Sequence, residues 1–440
     1  MRARRLLLIT FFIFLIGITT YQLPPVKSRL EWRIANWRAQ IWRTIFPPEE
    51  AVFIPSGGES PPEQGTEIAL RVTATLRALT PSPTTTPISN RLETTLQSPT
   101  QTSTLTLTPT PTLTPTAILS SVILTGFRHE YEQWNNCGPA TLGMQLSYWG
   151  WVGDQRNTAI FLKPNARDKN VSPHELVAYV DTQTEWKALY RVGGNLDLLK
   201  QLVAAGFPTI VEKTLDLVGV DGWIGHYALI SGYDDAKEHF ITQDSYIQAD
   251  FPEPYEKLVK AWQSFNYTFV VVYPPEREAE LFAILGPLAD PYTQHQISLE
   301  IAEQQIAGSS GVPLYFAWFN KGSSLIGLED YAGAAAAYDT AFSVYVQLPQ
   351  EERPWRMVWY QHGPYKAYFE TGRYQDVINL ANNLLFYMGE QTVEETFYWR
   401  GLSKEKLGDI QGALADMQQA VNLNSNYGEA LEELRRLQGG

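Results

Sequence analysis

The chain has 440 residues, enough for two or three domains, each with its own core, and it carries a net charge of −13. An acidic field of this kind repels phosphate backbones and argues against nucleic acid as a partner. The single cysteine, Cys137, excludes an intrachain disulfide framework and any zinc site built on paired cysteines.

Taken in chain order, the basic start Met1-Arg-Ala-Arg-Arg5 is followed by an apolar run from Leu6 to Leu23. That pattern predicts a signal anchor over residues 1–23, hence a single-pass cell-membrane protein with its folded part extracytoplasmic. A cleaved signal peptide is the alternative, and it too implies export. Over residues 24–46, Leu30, Ile34, Trp37 and Ile41 recur at helical spacing beside arginines, predicting a juxtamembrane amphipathic helix. Residues 47–116 are dominated by Thr, Pro and Ser and are expected to be a disordered linker that sets distance from the membrane.

Residues 117–275 mix β-rich runs with helices and predict an α+β domain with an antiparallel sheet. Strands are expected at Val122–Thr125, Thr209–Glu212, Tyr227–Ser231, His239–Thr242 and Tyr267–Tyr273. Helices are expected from Gly138 to Trp149, from the capping box at Ser172, and from Asn195 to Ala205, where Gly206 stops the last. Connecting helices are predicted over 276–313. From 314 to 440 an aromatic–small–large pattern recurs, as in Trp318, Gly322, Leu325, Tyr331 and Ala334, and again from Phe397 through Gly401, Ala413 and Met417. These helix pairs resemble tetratricopeptide repeats, which stack because one pair alone cannot bury its apolar face, and which imply a protein partner.

The chemistry concentrates around Gln133-Trp-Asn-Asn-Cys137-Gly-Pro-Ala. Cys137 stands where the chain enters a helix, and the free N–H groups there favour a negative group. Asn135 and Asn136 are candidates to cap that helix. His226 precedes a strongly patterned strand, so its imidazole is held in place and able to face the thiol across a cleft. Asp244 ends the next strand and is the candidate to accept from the far ring nitrogen; Asp234 and Asp235 are read as turn residues. Gln133 offers a side-chain amide that can join the Cys137 N–H as an oxyanion donor. Paired-Cys, HExxH and Gly-rich phosphate motifs are missing, so the sequence predicts neither metal nor cofactor.

Over about Ile118 to Tyr273 these residues resemble the papain-like clan, in particular the bacteriocin-leader (double-glycine) processing peptidases. The resemblance implies a cysteine peptidase acting on a peptide or protein substrate, with Cys137 as nucleophile, His226 as base, Asp244 as orienter and Gln133 as oxyanion donor. Gln133 lies closer to Cys137 than is usual in that family. A transpeptidase or cell-wall amidase on the same scaffold, and a catalytically silent peptide-binding scaffold, remain as alternatives.

Overall fold

The computed structural model describes residues 12, 20–21, 52–57, 119–215, 223–388 and 390–439. Its centre is an antiparallel sheet of seven strands: β1 (Ser121–Ile123), β2 (Lys187–Arg191), β3 (Thr209–Leu215), β4 (Ile224–Asp234), β5 (His239–Gln243), β6 (Phe251–Pro254) and β7 (Phe269–Tyr273). The order is β2-β7-β3-β4-β5-β6, and β1 pairs with the far end of β4. All five strands expected from the sequence are present within a few residues. The additional strands β2 and β6 lack its simple alternation: Lys187-Ala-Leu-Tyr-Arg places charges at both ends, and Phe251-Pro-Glu-Pro carries two prolines, as suits an edge strand.

β4 is buried along nearly its whole length because helices cover both sides of the sheet. Tyr227 and Leu229 point to one face, with Leu142, Leu146, Leu176, Val270 and Val272. Ala228 and Ile230 point to the other, with Leu198, Leu202, Trp262 and Val271. This is the period-two consequence of an extended backbone. The first face receives α1 (Cys137–Tyr148), α2 (Gln155–Leu162) and α3 (Pro173–Gln183); the second receives α4 (Leu196–Ala204) and α5 (Tyr255–Trp262). Ser172 and Glu175 form the expected capping box at the start of α3, and Asn195 caps α4.

From Glu278 onward the described chain is helical. The pair Gly311–Gly327 and Tyr331–Gln347 packs through Gly322, where a Cβ would stand 2.7 Å from the Tyr338 ring. The later pair Glu394–Lys406 and Ile410–Leu423 repeats the device, with Gly401 against Met417 and Asp416. Caps recur as well: Asp330 accepts from Gly333 N and Asp409 from Gly412 N, each at 2.9 Å. One apolar core unites these helices with Trp223 and Phe265 of the α+β part. Trp223 stacks on Phe265 at 5.2 Å and meets Tyr360 edge-on at 5.5 Å.

Apart from Phe12, Thr20 and Tyr21, residues 1–23 lie outside the described residues, as do all of 24–46. The expected single-pass membrane localisation is corrected: among the described residues no helix is long and apolar enough to cross a membrane. The helices of the 311–347 pair have 17 residues each and bury one face in protein, whereas a span needs about 20 apolar residues. Within the stretch expected to be a disordered linker, residues 52–57 are described and pack on the helical part, whereas 58–116 lie outside the description. Phe53 is buried 5.0 Å from the Phe342 ring, and Ser56 donates to both oxygens of Asp376, from N at 3.0 Å and from Oγ at 2.6 Å.

Candidate active site

α1 begins at Cys137 itself, with Pro139 in its first turn, where a missing N–H costs least. Its start is pressed against the sheet. At Gly138 a Cβ would come 3.3 Å from Val171 and 3.5 Å from Tyr227, so a glycine brings the sulfur close to β4. Deeper in the helix, Thr141 Oγ1 donates to Tyr227 O at 3.2 Å and Gln145 Nε2 to Pro208 O at 2.8 Å. These two bonds fix the helix to the sheet and hence Cys137 to the strand carrying His226.

His226, 2 % exposed, lies in β4 opposite Lys213 of β3. Its Nε2 is 3.2 Å from Asp244 Oδ1. Asp244 Oδ1 also accepts from Tyr246 N at 2.9 Å and Ile247 N at 2.8 Å, so the turn after β5 holds the carboxylate. The other ring nitrogen, Nδ1, faces Glu132 Oε2 at 3.9 Å. A nitrogen of His226, an oxygen of Glu132 and Cys137 Sγ all lie within 4.8 Å of one another. The Cys137 sulfur thus lies beside the imidazole, and its interaction with the ring favours the charged form of His226. Thus Cys137, His226 and Asp244 are brought together in the order expected. Asp234, the last residue of β4, and Asp235, in the turn after it, stand apart, paired with Lys237 and Lys200.

Gln133 sits differently from its expected position. Its side chain is exposed, and its backbone N–H donates to Gln155 Oε1 at 2.7 Å. Its neighbour Glu132 is buried against the thiol–imidazole pair. Glu132 N donates to Ser245 O at 3.0 Å, and Glu132 Oε2 accepts from Ser245 Oγ at 2.8 Å. Asn136 occupies the N-cap position of α1 but makes no side-chain capping bond. Its amide instead reaches Gln155, and its oxygen accepts from Lys163 Nζ. Lys163 also donates to the carbonyls of Trp134 at 3.1 Å and Asn135 at 2.8 Å, pinning the loop in which Asn135 adopts a left-handed φ of 49°. Glu132, Gln155, Lys163 and Ser245 are site residues that sequence reasoning missed. The available signal is alternation: Tyr131 and Gln133 are exposed and Glu132 buried, as in an extended strand.

The electrostatics follow from these contacts. Burial opposes a charge on His226, yet the Asp244 charge, the hydrogen bond to Asp244, the interaction with Cys137, and the Glu132 charge outweigh it and hold the imidazole pKa well above its ordinary value. Burial likewise opposes a charge on Asp244, but the His226 charge and hydrogen bond, Lys213 and the Ile247 N–H hold its carboxyl down to about 2. For Glu132 the balance is reversed: burial, with the Asp244 charge adding, raises its pKa against the pull of His226, Ser245 and Lys163.

The helical part reaches this site. A Cβ on Gly225 would lie 2.7 Å from Phe265 and 2.9 Å from the Tyr360 ring. Tyr360 therefore closes over the residue preceding His226.

A lone thiol at a helix start, a buried imidazole from the central strand and a carboxylate behind it, on an α+β scaffold, are decisive for comparison. Residues 127–270 match the Peptidase_C39 like family. That matched region contains Cys137, His226, Asp244 and Glu132, and supports a papain-like cysteine peptidase fold there. A C39-like peptidase from Bacillus anthracis is 19% identical, with 35% of this chain covering 97% of that one at a TM-score of 0.30. A second solved structure, the MamA RS-1 ArsTM double mutant, is 12% identical, with 33% of this chain covering 75% of that chain at a TM-score of 0.28. No curated protein matches.

Proposed function

We propose that the C39-like region is a cysteine peptidase whose nucleophile is Cys137, whose base is His226 and whose positioning residue is Asp244. The observation carrying this reading is the approach of Cys137 Sγ to a His226 ring nitrogen, with Nε2 of the same ring on Asp244 Oδ1. With Nε2–H donating to Asp244, Nδ1 is left to take the thiol proton. Sγ then attacks the peptide carbonyl carbon. The oxyanion faces the backbone N–H groups at the start of α1, and the imidazolium returns its proton to the departing amine as the C–N bond breaks. Water, deprotonated by the same imidazole, hydrolyses the thioester and frees Sγ.

Glu132, not Gln133, is the side chain buried beside the thiol–imidazole pair, with its Oε2 held by Ser245 Oγ at 2.8 Å. The tetratricopeptide-like helices are proposed to recruit a protein partner or substrate, and Tyr360 gives them a direct hold on the cleft. The test compares wild type and Cys137→Ala against a peptide library. Wild type is expected to yield cleavage products that the variant does not. Identical product profiles would overturn the reading and leave a peptide-binding scaffold.

A further inference from the structure

We propose that Glu132, Cys137 and His226 form a binding site for a divalent ion of the zinc class. Three different elements supply the donors: the extended segment before α1, the first residue of α1, and β4. No local sequence motif can announce such a site. The donor set is one sulfur, one imidazole nitrogen and one carboxylate oxygen. Borderline-soft ions accept that mixture, whereas calcium and magnesium require oxygen.

The outer shell is already built. His226 presents Nδ1 toward Glu132 because Nε2 is held 3.2 Å from Asp244 Oδ1, the carboxylate–histidine arrangement that fixes a metal-binding tautomer. Glu132 Oε2 is held by Ser245 Oγ at 2.8 Å, and Asp244 by two backbone N–H groups. Zinc bonds of about 2.0–2.3 Å in a tetrahedron place donor atoms roughly 3.3–3.8 Å apart. The three atoms already lie within 4.8 Å of each other, so rotation of the Cys137 and Glu132 side chains is enough to close the set. The Cys137 side is half-exposed, which leaves an entry path and a fourth position for water. Lys163 Nζ, a cation whose charge acts on both Cys137 and Glu132, is occupied by oxygens of residues 134–136.

Acyl transfer has no need of an anionic ligand beside the thiol–imidazole pair; a neutral amide donor would serve. A carboxylate at this position gives the pair its third metal donor. The bound ion holds Sγ and Nδ1 together and removes both from chemistry, so the peptidase becomes reversibly metal-inhibited. That consequence rests on the proposed function, whereas binding itself does not.

The test uses the full chain, stripped with chelator, titrated with Zn²⁺ by calorimetry and with Co²⁺ by absorption. One ion per chain is expected, with a thiolate-to-cobalt charge-transfer band that Cys137→Ser abolishes. Glu132→Gln should weaken Zn²⁺ binding about tenfold or more. Unchanged thermal unfolding of the metal-free variants shows that the fold persists. If a variant fails to fold, alkylation of Cys137 in the wild type replaces it and should abolish binding. A cobalt spectrum without the sulfur band, or Zn²⁺ affinity within twofold of wild type in Glu132→Gln, overturns the proposal. Metal binding is read without substrate. A metal-free chain that cleaves nothing refutes the peptidase whatever its Zn²⁺ binding, and a chain that cleaves peptides but binds no Zn²⁺ refutes the metal site.

Discussion

His226 stands between two carboxylates, with Nε2 3.2 Å from Asp244 Oδ1 and Nδ1 3.9 Å from Glu132 Oε2. The first contact orients the ring; the second sets a buried carboxylate beside the thiol–imidazole pair. Replacing Asp244 by Asn keeps the shape and removes the charge that selects the tautomer. Asp244→Asn is expected to lower kcat/KM on a peptide substrate by about 10²–10⁴. A loss smaller than tenfold would show that the ring needs no such partner.

The same pair shapes stability. Asp244 is held down to about 2, so its contribution, roughly 2 kcal/mol, is present above its unfolded value and lost as pH falls through the folded one. His226 is raised, so its contribution is full below its unfolded value of about 6.5 and fades as pH rises through the folded value. The stability gap between wild type and Asp244→Asn should therefore be widest around pH 5–6 and shrink toward alkaline pH. Thermal unfolding across that range measures it, and a gap that widens with pH would contradict the pairing.

Glu175 at the start of α3 is pushed up to about 8, first by burial and then by the charge of Glu394 from the helical part. A carboxyl with a raised folded pKa stabilises while protonated, so this contribution is lost as pH rises from about 4.5 to about 8. Glu175→Gln preserves the capping bond to Ser172 N and removes the charge. The variant should match wild type near pH 4–5 and unfold at a higher temperature near pH 8. Equal melting temperatures at both ends would show that no charge is confined there.

Trp223 is a joint between the two parts of the molecule, stacked on Phe265 and tilted against Phe316 at 6.1 Å. Trp223→Ala should cost about 3–5 kcal/mol in denaturant unfolding. It should also reduce activity, because Gly225 and His226 follow directly in β4. A loss under about 1 kcal/mol would mean that the helical part contributes little to the α+β part.

The readability of this sequence varied with the distance over which each feature is determined. Cys137, His226 and Asp244 were legible because each sits beside a local signal: a proline-bearing helix start, a glycine before a strand, a strand end. The Ser172 capping box was legible for the same reason. Glu132 was not, because its inward direction depends on pairing with Ser245, more than a hundred residues later. In an extended segment a shift by one residue exchanges inside for outside, and the sequence alone points to Gln133 where Glu132 stands. Lys163 and Gln155 act on a loop more than twenty residues away, which no periodicity reveals. The docking of Phe53 depends on Phe342 and Tyr368, contacts that composition alone cannot announce in a Thr- and Pro-rich stretch.

That docking has a mechanical consequence. The Phe53 ring and the paired bonds from Ser56 to Asp376 join residues 52–57 to helices in which Arg373 ties Asp376 to Asp339. A pull on the chain upstream of residue 52 is thus borne first by the helices around Asp339 and Asp376. The strand that holds His226 feels the load only after this clasp has opened.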